Sequence, residues 1–152
     1  DKSIPEIFKD HGEAYFREGE RRVISRLIEN GAQVLSTGGG AFINEETRQA
    51  VQARGISVWL KADLPLLMKR VMKRADRPLL QTGDPEAVMQ KLMDQRYPVY
   101  AKADITIDSR DTAHEVIVAE IVAALAARRD LGGDALPANP PEAANGLPHD
   151  ER

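Results

Sequence analysis

Cysteine is absent from the 152 residues, which removes disulfides, thiolate metal sites and thiol nucleophiles together. Histidine occurs only at His11, His114 and His149, never at metal-ligand spacing, so no metal site is expected within the chain. No apolar run approaches the ~20 residues that cross a bilayer, and the first residues lack the basic-then-apolar pattern of a signal peptide. The expectation is a cytoplasmic protein without a membrane partner. Positive charge is not in excess: 21 Lys+Arg against 24 Asp+Glu give a net charge of −3. That argues against nucleic acid as a partner, which would need a basic face, but allows a small anion at a local cluster. Finally, no Gly-x4-Gly-Lys-Ser/Thr segment is present, and the dipeptide Gly-Lys never occurs. Nothing in the chain therefore reads as a cradle for a β-phosphate or as its magnesium-binding hydroxyl.

What remains is an ordinary globular composition, 42% hydrophobic and 30% charged, long enough for one domain with a buried core. Ser3-Ile4-Pro5-Glu6 has the form of a capping box, with Pro5 tolerated in the first turn. A short helix follows to about Phe8 and breaks at His11-Gly12. Residues 13–30 read as a longer helix with Phe16, Val23, Ile24, Leu27 and Ile28 on one stripe and Gly31 as its stop. Residues 33–37 form an apolar strand candidate running into Gly38-Gly39-Gly40. Asn44 and Asp63 stand as helix caps around a second strand at 56–60, the latter helix continuing to about Arg74. Residues 75–83 are polar, with Pro78 and Gly83, and read as a loop long enough to move. Asp84-Pro85 opens a helix that should end near Tyr97-Pro98. A third strand is expected at 105–107, then a Thr112–Glu115 capping box and a last helix to about Ala127. Helices alternating with short buried strands imply an α/β fold with a parallel sheet.

Three arginines and the glycine run carry the chemical signal. Arg17 has Glu13 four residues before it and Glu20 three after, both on its helical face. As a solvated ion-pair face this would contribute only a few tenths of a kcal/mol per pair. Glu20, however, interrupts the apolar stripe between Phe16 and Val23, so its carboxylate should be partly buried and should orient Arg17. Gly38-Gly39-Gly40 follows a strand candidate, where open α/β sheets place ligands. It is either a ligand-facing loop or a flexible turn. It is not a dinucleotide fingerprint, since Ile43 stands where the third glycine would be. Arg77, beside Pro78 in the loop, is either a solubilising charge or a group that closes over a transferring phosphate. Arg96 is either a charge at a helix C-terminus or, with its planar fork, a carboxylate binder.

The ordered set Ser3-Ile4-Pro5-Glu6-Ile7-Phe8, Gly12-Glu13, Phe16-Arg17, Thr37-Gly38-Gly39-Gly40-Ala41, Arg77-Pro78-Leu79-Leu80 and Arg96-Tyr97-Pro98-Val99-Tyr100 resembles shikimate kinase, a P-loop kinase related to the nucleoside monophosphate kinases. The resemblance covers about residues 2–127. It implies transfer of the ATP γ-phosphate to the 3-hydroxyl of shikimate, with Mg2+, on the route to aromatic amino acids. By the same resemblance Arg17 and Arg96 would bind the shikimate carboxylate. Gly39, with Gly38 and Gly40, would face the ring hydroxyls, Phe16 would wall the pocket, and Glu20 would hold Arg17. Arg77 would be the lid arginine on the ATP phosphates, and Arg110, less firmly, would lie near the adenine, with Arg70 as another candidate there.

The family's phosphate loop and its magnesium-handling carboxylates come ahead of the Ser-Ile-Pro-Glu segment. The expectation is therefore a parallel-sheet P-loop kinase fold lacking its N-terminal strand and phosphate loop, with a mobile lid loop. Residues 1–128 would be the shikimate kinase-like domain, incomplete at its N-terminus, and residues 129–152 a disordered tail. Such a chain, starting at Asp1 and going almost directly into a helix, is expected to be a piece of a longer parent. Alone it would be poorly stable and inactive, with the strands at 33–37 and 56–60 exposing unpaired ladder groups. The magnesium ligands would belong to the preceding segment, and the whole protein would be a monomer. A non-catalytic shikimate-binding fragment and a related small-molecule kinase, such as a gluconate kinase, are the alternatives.

Overall fold

The computed structural model describes residues 2–73 and 84–130. Helix α1 spans Ile4–Ile28, and its first turn is closed by the Glu6 carboxylate, which accepts from both the backbone N–H and the hydroxyl of Ser3 at 2.7 Å. The two helices expected here run on as one element across a kink at Gly12, whose φ of 79° is left-handed and favours a residue without Cβ. A short helix α2 (Gly39–Ile43) follows, then α3 (Glu45–Arg54), β1 (Val58–Lys61) and α4 (Leu64–Met72). The chain continues as α5 (Pro85–Tyr100), β2 (Ile105–Asp108) and α6 (His114–Asp130). Three helices begin on a side chain that accepts from the third residue beyond it: Asn44 from Thr47, Asp63 from Leu66 and Asp84 from Ala87, at 2.9–3.0 Å. Each bond satisfies one of the N–H groups that a helix start leaves without an internal partner.

The sheet is parallel, as expected, with Val58 opposite Ile105 and Lys61 opposite Asp108. Ile105 and Ile107 are buried while Thr106 and Asp108 face outward, the period-2 alternation of a strand with one covered face. The buried apolar residues, besides these isoleucines, include Ile24 of α1, Ala41 of α2, Leu66 and Val71 of α4 and Met89 of α5.

Three expectations need correction. Residues 33–37 form no strand: they run without regular structure, and among the described residues the sheet has two strands. An extended apolar segment becomes a strand only when a neighbour takes up its ladder groups, and β1 and β2 pair with each other. Val34 is wholly exposed in consequence. β1 is paired along one edge by β2 and has no strand on its other edge among the described residues, so the expected unpaired ladder groups are present there. Val23, placed on the buried stripe of α1, is largely exposed, whereas Ile24 one residue on is buried. The last helix starts at His114, with Val116 N–H bonding the Ala113 carbonyl, so Ala113 and not Thr112 marks its boundary. The expected loop at 75–83 and nearly all of the expected tail lie outside the described residues.

The two strand starts are tied by one polar knot. The Ser57 hydroxyl donates to the Asp104 carboxylate at 2.6 Å and accepts from the Asp104 N–H at 2.9 Å. The Ser57 N–H also reaches that carboxylate, and Arg128 of α6 closes on its other oxygen at 2.9 Å. Burial works against the Asp104 charge, but the Ser57 bonds, and then Arg128, outweigh it and hold the carboxyl below its ordinary value. A lowered folded-state pKa makes this stabilisation complete above the unfolded carboxylate value of about 3.9, and it is lost as pH falls through the folded value. Asp104→Asn should therefore cost about 1–3 kcal/mol at neutral pH. In denaturant titrations the difference from wild type should shrink steadily below about pH 4.

Candidate functional site

The site is built where α1, α2 and α5 meet. Arg17 leaves α1 and lays its guanidinium against Gly40: a Cβ on that glycine would stand 2.5–2.7 Å from three guanidinium atoms. Glycine is required there because the arginine already fills the space of a side chain. The guanidinium is fixed from behind. Its Nη1 donates to Glu20 at 2.7 Å, while Nε and Nη2 share one Glu13 oxygen at 3.3 Å. The two carboxylates differ in kind. Glu20 is short-bonded and only 18% exposed, whereas Glu13 is long-bonded and 67% exposed. Glu20 is thus a lasting anchor, and Glu13 holds an edge of the fork that an incoming anion could take over. Burial alone would lower the Arg17 pKa, but Glu20 and then Glu13 raise it above its ordinary value, so the group is a permanent cation. Phe16 stacks on Phe8, ring centres 4.7 Å apart, and lies 5.2 Å from the Arg17 guanidinium carbon, within cation–π range.

Helix α5 brings the second arginine. Arg96 Nη1 lies 3.8 Å from the place a Gly39 Cβ would occupy, so the two guanidiniums reach neighbouring residues of one turn from two different helices. The glycine turn starts from Gly38, in contact range of the Glu20 carboxylate, and continues into α2. Arg48 of α3 closes the far end of α2 by donating to the carbonyls of Phe42 and Ile43 at 3.0 and 2.7 Å.

What holds α5 in place is aromatic. Trp59 of β1 meets Tyr97 edge to face at 4.9 Å, and the Tyr97 hydroxyl donates to the Ala62 carbonyl. Tyr100 lies 5.9 Å from Trp59, and its hydroxyl donates to the Gly39 carbonyl at 2.8 Å. Neither tyrosine was singled out by the sequence. Pro98 reads as a stop because it has no N–H for the carbonyl of Asp94. Yet α5 runs through Pro98 to Tyr100, and Ala101 N–H bonds Tyr97 at 2.8 Å. The signal available was the Arg96–Tyr100 spacing of four, which puts both on one helical face.

The structure brings together Arg17, Glu20, Phe16, Gly38, Gly39, Gly40 and Arg96. Arg110 lies apart, in the turn after β2, where it pairs with Glu120 of α6 and its carbonyl accepts from Arg70 at 3.3 Å. Lys69 pairs with Asp111 beside it. Arg77 lies outside the described residues. Among the described residues no group of three His, Cys, Asp or Glu side chains is placed to hold a metal ion, and no helix is long and apolar enough to cross a membrane.

A parallel α/β sheet, with two arginines converging on a glycine turn beside it, defines an α/β domain of the P-loop kinase class. The family model for shikimate kinase matches residues 1–126. The chain is 58% identical over 123 residues to the shikimate kinase of Mesorhizobium japonicum, an alignment covering 81% of this chain and 61% of that relative. It is 51% identical over 145 residues to that of Bradyrhizobium diazoefficiens, covering 95% and 69%. Among solved structures it superposes on shikimate kinase from Acinetobacter baumannii in complex with shikimate, with a TM-score of 0.77 and 34% identity over 84% of this chain and 72% of that one. The enzyme from Aquifex aeolicus gives 0.69 and 35% over 86% and 74%. The chain belongs to the shikimate kinase family. It spans about three fifths of the length of the Mesorhizobium relative.

Gly40→Ala should leave the melting temperature within a few degrees of wild type, because the atoms in the way belong to a flexible side-chain end. A crystal structure of that variant should show the Arg17 guanidinium moved off Gly40, with its bond to Glu20 broken or lengthened.

Proposed function

We propose that the protein phosphorylates shikimate, transferring the γ-phosphate of ATP to the 3-hydroxyl, and that the site described above holds the acceptor. The observation that carries this reading is the convergence of Arg17 and Arg96 on the Gly39–Gly40 turn. Arg17, fixed by Glu20, and Arg96 offer planar forks to one carboxylate. The turn between them presents backbone instead of side chains, so hydroxyls of a small ring can approach the peptide groups. Phe16, stacked on Phe8, provides an apolar wall next to the Arg17 fork. Glu20 keeps that fork in place before the ligand arrives, which cuts the ordering cost of binding. The solved structure from Acinetobacter baumannii is a complex with shikimate, a carboxylate-bearing ring of this kind.

Phosphoryl transfer depends on positioning and on electrostatic stabilisation of the equatorial oxygens. The described residues perform the acceptor half: they orient the carboxylate and fix where the ring hydroxyls stand. We assign Arg77 to the ATP phosphates and Arg110, with Arg70 near it, to the base of the nucleotide. ATP and Mg2+ are the expected co-substrate and metal. The described residues do not fit magnesium, as no carboxylate cluster is placed for it. A cytoplasmic location and a monomeric state complete the reading.

In calorimetric titrations, Arg17→Ala or Arg96→Ala should weaken shikimate binding by about 2–5 kcal/mol. Unchanged affinity in both variants would remove the clamp. Where turnover is measurable by coupled ADP release, Arg77→Ala should lower kcat far more than it changes shikimate affinity. Shikimate binding without any ADP release, even when the chain is joined to a phosphate-loop segment of the family, would instead favour the non-catalytic binding fragment.

A further inference from the structure

Tyr100 touches the glycine turn from the side opposite the Arg17 clamp. Its hydroxyl donates to the Gly39 carbonyl at 2.8 Å, and a Cβ on Gly39 would collide with that hydroxyl. The ring packs against the Trp59–Tyr97 pair, with centres 5.9 Å from Trp59 and 6.2 Å from Tyr97. Tyr100 also shares a helical face with Arg96, four residues before it, whose Nη1 reaches the same glycine. One hydrogen bond therefore ties the turn to the helix that carries the second arginine.

The peptide group gives this bond a consequence. The carbonyl of Gly39 and the N–H of Gly40 belong to one rigid plane and point in opposite directions. Anchoring the carbonyl on Tyr100 fixes that N–H on the other side, toward the residue against which Arg17 lies. The plane lies in the first turn of the five-residue helix α2, with glycine on both sides, so the bond sets how this short turn seats against α5. The tyrosine ring is backed on one side by Trp59 and Tyr97.

We infer that Tyr100 is a positioning residue: its hydroxyl fixes the Gly39–Gly40 peptide plane against α5, and so sets how well the turn recognises ring hydroxyls of the acceptor. The inference rests on the proposed acceptor site. It differs from the clamp in what it governs, since the carboxylate is held by side chains of Arg17 and Arg96 while the hydroxyls are met by backbone that Tyr100 orients.

Tyr100→Phe keeps the ring and removes the bond. Binding of two probes, shikimate and cyclohex-1-ene-1-carboxylate, should be measured by ligand-detected NMR titration on wild type and variant, together with the melting temperature. The second probe has the carboxylate and the ring but no hydroxyls. Loss of one hydrogen bond should weaken shikimate about three- to tenfold, with the hydroxyl-free probe unchanged within twofold and a melting temperature close to wild type. Equal weakening of both probes with a fall in melting temperature would make Tyr100 merely structural and overturn the inference. Unchanged shikimate affinity would overturn it as well. If wild type itself fails to bind shikimate, the proposed function falls, an outcome separate from either of these.

Discussion

At Gly39 and Gly40 the space of a side chain is already taken by other residues, and the site follows from that. Arg17 occupies the space beside Gly40, Tyr100 the space beside Gly39, and Glu20 the neighbourhood of Gly38. A side chain at either of the last two glycines would have to displace a group that does chemical work. The constraint acts in both directions: the glycines admit the arginine and the tyrosine, and those two hold the turn in one conformation. A flexible sequence thus becomes a fixed surface.

The same economy links the site to the rest of the fold. Helix α1 reaches the turn through Arg17 and is braced on α3 by the Arg21–Glu46 and Arg54–Glu29 pairs at 3.0 and 3.1 Å. These pairs are largely exposed and contribute little each. Helix α5 reaches the turn through Tyr100 and Arg96 and is fixed to the end of β1 by the Trp59–Tyr97 pair. Aromatic pairs of this geometry contribute about 0.5–1.5 kcal/mol beyond their buried area, and with a single tryptophan and three tyrosines in the chain, three of those four rings are spent on holding α5.

Much of this was legible in the residues. The caps at Asn44, Asp63 and Asp84 follow from local patterns, because each depends on neighbours a few residues apart, and the parallel sheet follows from the alternation of helices with short strands. The contact between Arg17 and Glu20 was legible for the same reason, and the interruption of the apolar stripe foretold a partly buried carboxylate. Two kinds of feature were not. Residues 33–37 have the composition of a strand, but pairing is a property of two segments, and no local pattern says whether a partner is present. The role of Tyr100 was hidden by Pro98, which local rules read as a helix end. Contacts with Trp59 and Gly39, far away in sequence, favour continuation of the helix.

The central claim is that Arg17, the glycine turn and Arg96 form one acceptor site. A crystal structure of this chain soaked with shikimate tests it most directly. The account predicts the carboxylate between the Arg17 and Arg96 guanidiniums and the ring hydroxyls over the Gly39–Gly40 backbone. Shikimate bound elsewhere, or bound here with its carboxylate turned away from both arginines, would contradict it.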